Sequence, residues 1–352
     1  MINTGKEASM KKYHISLGAI IIALVTSCGP IPYYNRDTSP PDLTPPQLKG
    51  IKTTSPHKII LIFDEEANLN PSLTRISPSL KIISIEKISN HSTEITVTLE
   101  KQIPGREYRI KTEATDRYSN SISLVKKFYG YNSKIPTLLI NEFTTRGSGK
   151  HPDIVEIYVV EGGNMGGITF YNGTRGNFSN TLTFPSFPVK RGDFILIHCK
   201  PTGKEEEINE TKDKKLSRGY DASENAYDFW LLGGKGLSGN NGTLSIYTSP
   251  YGEVIDGVTY SNRSSDSDSR YRGFGKRETM ERADELTLSG KWKTSGEKIT
   301  PEDAINPDGS TGTRSICRNN PPIDTDSKGD WHIVPTRGAS FGKPNTNRVY
   351  SK

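Results

Sequence analysis

The chain has 352 residues, of which 32% are hydrophobic, with 33 glycines and 22 prolines. At about 150 residues per domain this makes two or three domains, and so few apolar residues among so many turn formers exclude a packed helical bundle in favour of short strands and long loops. The formal net charge is +6. Residues 1–27 carry Lys6, Lys11 and Lys12 against Glu7, so the remainder stands at +4. A charge this small, with Lys and Arg not clustered with aromatics, excludes nucleic acid as an expected partner.

Lys11 and Lys12 precede a mostly apolar run from Ile15 to Val25, broken by Ser16 and Gly18. The run is shorter than the ~20 residues a membrane-spanning helix needs, and it has the length of a signal-peptide core. Thr26 and Ser27 then lead into Cys28. The stretch Val25-Thr26-Ser27-Cys28 resembles a bacterial lipoprotein signal. That resemblance implies cleavage between Ser27 and Cys28, a diacylglycerol thioether on Cys28, and acylation of the new amino terminus by a palmitate-like chain. Membrane lipid becomes the partner of Cys28, and the bacterial cell envelope the location, at the outer-membrane surface or a periplasmic face. The alternatives are an ordinary signal peptide beside a chance cysteine, or an anchor left uncleaved. Residues 1–9 do not read as a basic leader, so translation is expected to start at Met10. Buried methylenes contribute ~0.8 kcal/mol each, so two or three acyl chains hold a protein stably where one does not.

Residues 28–47 form a tether. Pro30, Pro32, Pro40, Pro41, Pro45 and Pro46 fix φ and remove backbone donors, which forbids a helix and discourages a central strand. Extended at ~3.1 Å per residue, the segment spans up to roughly 60 Å and reads as a semi-rigid spacer.

Residues 48–131 show short β-branched runs separated by Pro, Gly and Asn. The runs cover residues 57–65, 80–88, 93–100, 106–114 and 121–130, which predicts a small β-sandwich. The stretches "IILIFDEEAN" (59–68) and "PGREYRIKTEATDRYSNSI" (104–122) resemble the bacterial SbsA-type Ig-like family, whose modules serve as spacers or binding platforms. Asp116, Tyr118 and Asn120 fall at that family's last turn. Asp and Asn bond nearby backbone in tight turns, so these residues read as structural.

Residues 136–345 continue as predicted strands over 137–143, 153–160, 168–172, 193–199, 229–234, 242–247 and 254–260, with a further one near Thr183. The ordered pieces "LLINEF", "PDIVEI", "GTLSIYTSPYGEVIDGVTY", "RSICR" and "GDWHIVPTRGASFGKPN" resemble the lamin-tail-type domain, an Ig-like β-sandwich. Arg337 stands where that family often carries Pro, and an inserted loop at 261–313 departs from its shorter pattern. The insertion is a candidate for ligand contact, since binding tends to live on loops over rigid scaffolds, and it holds a predicted helix near 276–288. The chain is therefore expected to be all-β, with two Ig-like β-sandwich domains in tandem after the tether.

The motifs of chemistry are sparse. Glu142, Asp153 and Glu156 lie near one hairpin with His151 close by. A three-residue offset puts Asp153 and Glu156 on opposite faces of a strand, so they read as edge charges and turn bonds with no metal. His57, His91, His198 and His332 have no partner spacing. No nucleophile elbow, zinc motif or phosphate loop is found, so no catalytic residue and no cofactor are expected. The run at 204–215 reads as a solvated loop. Cys199 and Cys317 remain once Cys28 is lipidated, and an oxidising compartment favours a disulfide between them, worth about 4–5 kcal/mol in the loop-entropy picture. The alternative is two buried thiols.

Three functions fit. The first is a non-enzymatic, membrane-anchored binding or structural protein of the envelope. The second is an adhesin for a host ligand, and the third the attachment subunit of an exported hydrolase system. In each, the partner beyond lipid is a protein or an extracellular ligand.

Overall fold

The structure is a computed structural model and describes residues 42–351. The signal peptide, the cleavage site at Ser27 and Cys28, and the tether as far as residue 41 lie outside the described residues. The described residues are nearly all β, with antiparallel sheets and one α-helix among them. No helix among the described residues is long and apolar enough to cross a membrane.

From Leu43 onward the chain is one unit containing two separate apolar cores. The first core lies among β1 (Leu48–Ser55), β2 (Lys58–Phe63), β3 (Asn68–Leu69), β4 (Arg75–Ser77), β5 (Ile82–Lys87), β6 (Glu94–Leu99), β7 (Glu107–Thr115) and β8 (Ser121–Tyr129). One sheet runs β1-β2-β6-β5; in the other, β3 and β4 lie along one side of β7 and β8 along its other side. Period-two alternation builds these strands. In β6, Ile95, Val97 and Leu99 are buried while Glu94, Thr96 and Thr98 are not. The same rule puts Tyr108, Ile110 and Ala114 of β7 inside. Asp116 closes the β7–β8 hairpin as the sequence predicts: its carboxylate accepts from the amides of Tyr118 and Asn120, each at 2.8 Å.

The second core is built by β9 (Thr137–Phe143), β10 (Ile154–Glu161), β11 (Gly163–Asn164), β12 (Thr169–Thr174), β13 (Asn177–Thr183), β14 (Pro188–Val189), β15 (Phe194–His198), β16 (Ala226–Trp230), β17 (Asn241–Tyr247), β18 (Val254–Ser261), β19 (Ile316–Arg318) and β20 (Trp331–Ile333). A six-stranded sheet runs β16-β15-β10-β9-β19-β20 and a four-stranded sheet β13-β12-β17-β18. Among the described strands only β15 and β16 pair in parallel, joined by the long 199–225 connection.

The 261–313 insertion is not a projecting loop. Phe274, Ala283, Leu286, Trp292, Ile299 and Ile305 all join the second core. Its helix α1 (Arg277–Leu288) packs against β12, β13 and β17. A Cβ on Gly257 would stand 2.3 Å from Leu286, so only glycine lets the helix seat this close to β18.

The disulfide is a correction. Cys199 and Cys317 are both free and buried. Cys199 follows β15 and Cys317 lies on β19, with β10 and β9 between them in the same sheet. Three strand spacings amount to about 14 Å. A disulfide needs Cα atoms within ~7 Å.

The two cores meet at a tight backbone junction. The Asn132 side-chain amide donates to the carbonyls of Asn164 and Gly166 at 2.7 and 2.9 Å. A Cβ on Gly105, whose φ is +69°, would lie 1.9 Å from the Gly167 nitrogen.

Candidate functional site

The outer face of the six-stranded sheet, turned away from the second core, carries buried charge. Glu142 and Glu156 are register partners across β9 and β10, and neither is exposed to solvent. They are not the edge charges the spacing predicts, because β9 and β10 are the two central strands. A β-bulge explains the difference: the register slips between Glu156 and Ile157, leaving Asn141 as an extra residue on β9. Asp153 stays apart, as its offset implies, and accepts from the amides of Gly147 and Leu237, each at 2.7 Å.

All four carboxylate oxygens of the pair are occupied. The Ser315 hydroxyl and the Ser340 amide donate to Glu142 Oε1, and the Ser340 hydroxyl to Oε2. The Asn141 side chain donates to Glu156 Oε1 at 2.7 Å and the Gly342 amide to Oε2 at 2.6 Å. The strap at 338–350 is thereby fastened over the sheet. Asn345 extends the seam by donating to the carbonyls of Asn141 and Arg318, and Tyr350 by donating its amide to the Ile333 carbonyl.

Burial raises the pKa of Glu142, partly offset by its serine donors. Burial raises Glu156 further above the usual carboxyl range, and the neighbouring Glu142 charge adds to the rise. Both shifts favour the protonated carboxyl, and the rise is greater at Glu156, which lacks the three converging donors of Glu142.

Cys317 and His332 complete this face, with Sγ 3.6 Å from Nε2. This is not an activated thiol. His332 Nε2 faces the Thr346 carbonyl oxygen at 2.8 Å and so carries a proton there. Burial, then Glu142 and Glu156, push the thiol pKa up. A reactive cysteine needs the reverse shift.

A second buried cluster lies under the 199–225 connection. His198 Nε2 and Asp228 Oδ1 are 2.6 Å apart, both fully buried, and the imidazole stacks on Trp230 with centroids 3.8 Å apart. His198 thus has a partner that the sequence spacing did not disclose. Glu210, within the charged run expected to be solvated, is fully buried and accepts from the amides of Leu216, Ser217 and Asp228. A third cluster centres on Arg318, whose guanidinium donates to Asp256, Asp324 and Asp330 and to the Ile140 carbonyl. Arg318 and Asp256 are each 1% exposed, and burial raises the Asp256 pKa to about 6 against the lowering effect of Arg318.

Glu142, Glu156, Glu210 and Asp228 accept from donors of covering segments, at Ser340, Gly342, Ser217 and Ser223, whereas Asp256 accepts within the sheets from Ile140 and Arg318. The signal for Glu142 and Glu156 is in the sequence: each stands in an apolar run, "LLINEF" and "DIVEIYVV", where a strand covered on both faces must bury it. Glu210 and Arg318 have no such mark.

The family model described as "TP_1001_2nd: protein second domain" matches residues 136–333, more than half of the chain. The chain belongs to this family. The matched span covers β9 to β20 and all three buried clusters, though the strap lies beyond it. A protein of Treponema pallidum (strain Nichols), described as uncharacterized, is 29% identical over 165 residues, which is 47% of this chain. The chain covers 42% of that relative's length. Among solved structures, dimeric latent PorU from Porphyromonas gingivalis overlaps 64% of this chain and 20% of its own, at 11% identity and a TM-score of 0.20. That likeness carries no inference.

Proposed function

We propose that this protein is a lipid-anchored, non-enzymatic component of a bacterial cell envelope, acting as a binding or structural element through its two β bodies. The observation that carries the reading is Val25-Thr26-Ser27-Cys28, placed after a basic start and a short apolar run and before a proline-rich spacer. Cys28 holds the membrane, the 28–47 tether spaces the body from it, and the Ig-like and lamin-tail-type bodies are the cargo. The chemistry of the body agrees with this. Glu142, Glu156 and Glu210 fasten covering segments of the second body, and the Cys317 thiol sits where its proton is hard to remove. No cofactor is part of the proposal, and the partner beyond lipid is a protein or an extracellular ligand.

The test is expression of the whole chain in a bacterial host fed an alkyne-bearing palmitate. Labelled protein whose mature mass begins at Cys28, with label lost in Cys28→Ser, is the expected result. Unlabelled protein, or label retained in Cys28→Ser, overturns the anchor. Protease treatment of intact cells then assigns the body to the surface or the periplasm.

A further inference from the structure

A cavity of about 730 Å³ opens where three loops meet: the β9–β10 loop, the 219–225 segment and the 337–343 part of the strap. His151, Asp221, Gly312, Arg337, Phe341 and Lys343 line it. The charges in it are unequally satisfied. Asp221 pairs with His151 at 2.9 Å, and Glu224 at the rim pairs with Lys215 at 3.6 Å. Arg337 and Lys343 have no acidic partner among the described residues, and both are exposed. Two cations without an acidic partner therefore enter the cavity, with the Asp221 carboxylate, held by His151, on the same lining.

The backbone at Arg337 is unusual. Its φ is +61°, in the left-handed region, at the third position of a turn closed by the Gly338 amide donating to the Pro335 carbonyl. Glycine is the residue that fits this position without strain, and a long cationic side chain is kept there instead. Asp221, on the opposite wall, is also left-handed at +61°. The strap itself is fixed in place: Ser340 is fastened to Glu142 and Gly342 to Glu156, one on each side of Phe341. A Cβ on Gly342 would reach 2.2 Å from the Ser223 hydroxyl, so the two walls are in contact there. Phe341 packs on the cluster of Ile154, Phe194, Leu196 and Ala226 and presents a partly exposed apolar floor.

We infer that this cavity is a binding site for a phosphate-bearing ligand, held by Arg337 and Lys343 over Phe341. Two cations that no acid pairs with suit a phosphate monoester, which carries close to two negative charges at neutral pH, better than a single carboxylate. The guanidinium fork suits phosphate oxygens in a bidentate grip, with Lys343 as a second point charge. The source is either a free phosphate compound or a lipid phosphomonoester headgroup.

The experiment uses the full chain in detergent. Its probes are inorganic phosphate, by calorimetry at constant ionic strength, and phosphatidylcholine vesicles with and without phosphatidic acid, by co-sedimentation. The variants are Arg337→Gln with Lys343→Gln, a charge-matched control of Lys52→Gln with Lys111→Gln on the first body, and Arg337→Gly. Saturable phosphate binding weakened about tenfold or more in the first variant and unchanged in the control is the expected result, and it assigns a free phosphate compound. Binding only to the phosphatidic-acid vesicles, with the same variant pattern, assigns the headgroup. Arg337→Gly is expected to melt higher while binding less, which separates affinity from folding. No saturable binding of either probe, or equal loss in the control, overturns the inference.

Discussion

Glu142 and Glu156 face each other across the two central strands of the six-stranded sheet, both sealed from solvent, and between them they fix Ser340 and Gly342 of the strap. A carboxyl buried this way stabilises the fold most in its protonated form. The folded pKa of Glu156 lies above its ordinary value of 4.5, so the unfolded chain releases that proton first as pH rises. The contribution is complete below pH 4.5 and is lost as pH climbs through the raised value. Thermal melting temperature is expected to fall from mildly acidic to mildly alkaline pH, with a slope of up to about 1.4 kcal/mol per pH unit for this one proton. Glu156→Gln is expected to flatten the profile. An equal slope in the variant removes Glu156 as its source.

Arg318 is expected to tolerate no truncation. Its guanidinium sits among Asp256, Asp324 and Asp330, and its Nε–H donates to the Ile140 carbonyl at 2.8 Å. Arg318→Met leaves these acids facing one another with no cation, at a cost of about 3–5 kcal/mol. Arg318→Lys keeps the charge but loses the fork and recovers only part of this. Urea unfolding of the three proteins measures the order. In Arg318→Met, Asp256 titrates above its present value of about 6, since the lowering charge is gone.

The cysteines give a chemical check on the sheet order. Cys199 and Cys317 are buried, and burial pushes both thiols up. Maleimide is expected to leave both unmodified in the native protein. In denaturant without reductant it modifies both. A denatured chain in which neither reacts means they are bonded, which the β15-β10-β9-β19 order forbids.

Much of the fold is legible in the sequence because its elements are alternating or apolar runs bounded by turn residues. Thr137–Phe143, Asn241–Tyr247 and Val254–Ser261 lie within a residue of where the apolar runs place them. So does the helix Arg277–Leu288. Strands with weak contrast were not legible. Leu48–Ser55 holds no fully buried residue and shows no apolar run to mark it within the predicted first unit. Asn68–Leu69 and Arg75–Ser77 are too short to show a period. The candidate site was legible only in part. Glu142 and Glu156 are visible as acids in apolar runs, but the Asn141 bulge that brings them opposite each other leaves no mark on hydrophobic spacing. The partners Ser340, Gly342 and Asn345 lie about two hundred residues away, where local pattern says nothing. Likewise, thirty residues separate His198 from Asp228, and only the parallel pairing of β15 with β16 unites them.

Gly105→Ala tests the junction. The added methyl group would overlap the Gly167 backbone, and φ of +69° is already costly for alanine. The first body is expected to keep its own core and lose its seat on the second. The readout is faster proteolytic cleavage at 130–136, with a larger radius of gyration by X-ray scattering. Unchanged cleavage and size would show that the junction adjusts.

That junction has a mechanical consequence. Two β bodies joined by a free linker behave as beads on a string, and tension on one is lost as slack before it reaches the other. Here Asn132 grips the backbone at Asn164 and Gly166, and the Gly105 and Gly167 backbones touch. While these contacts hold, the first body is not free to swing about residues 130–136.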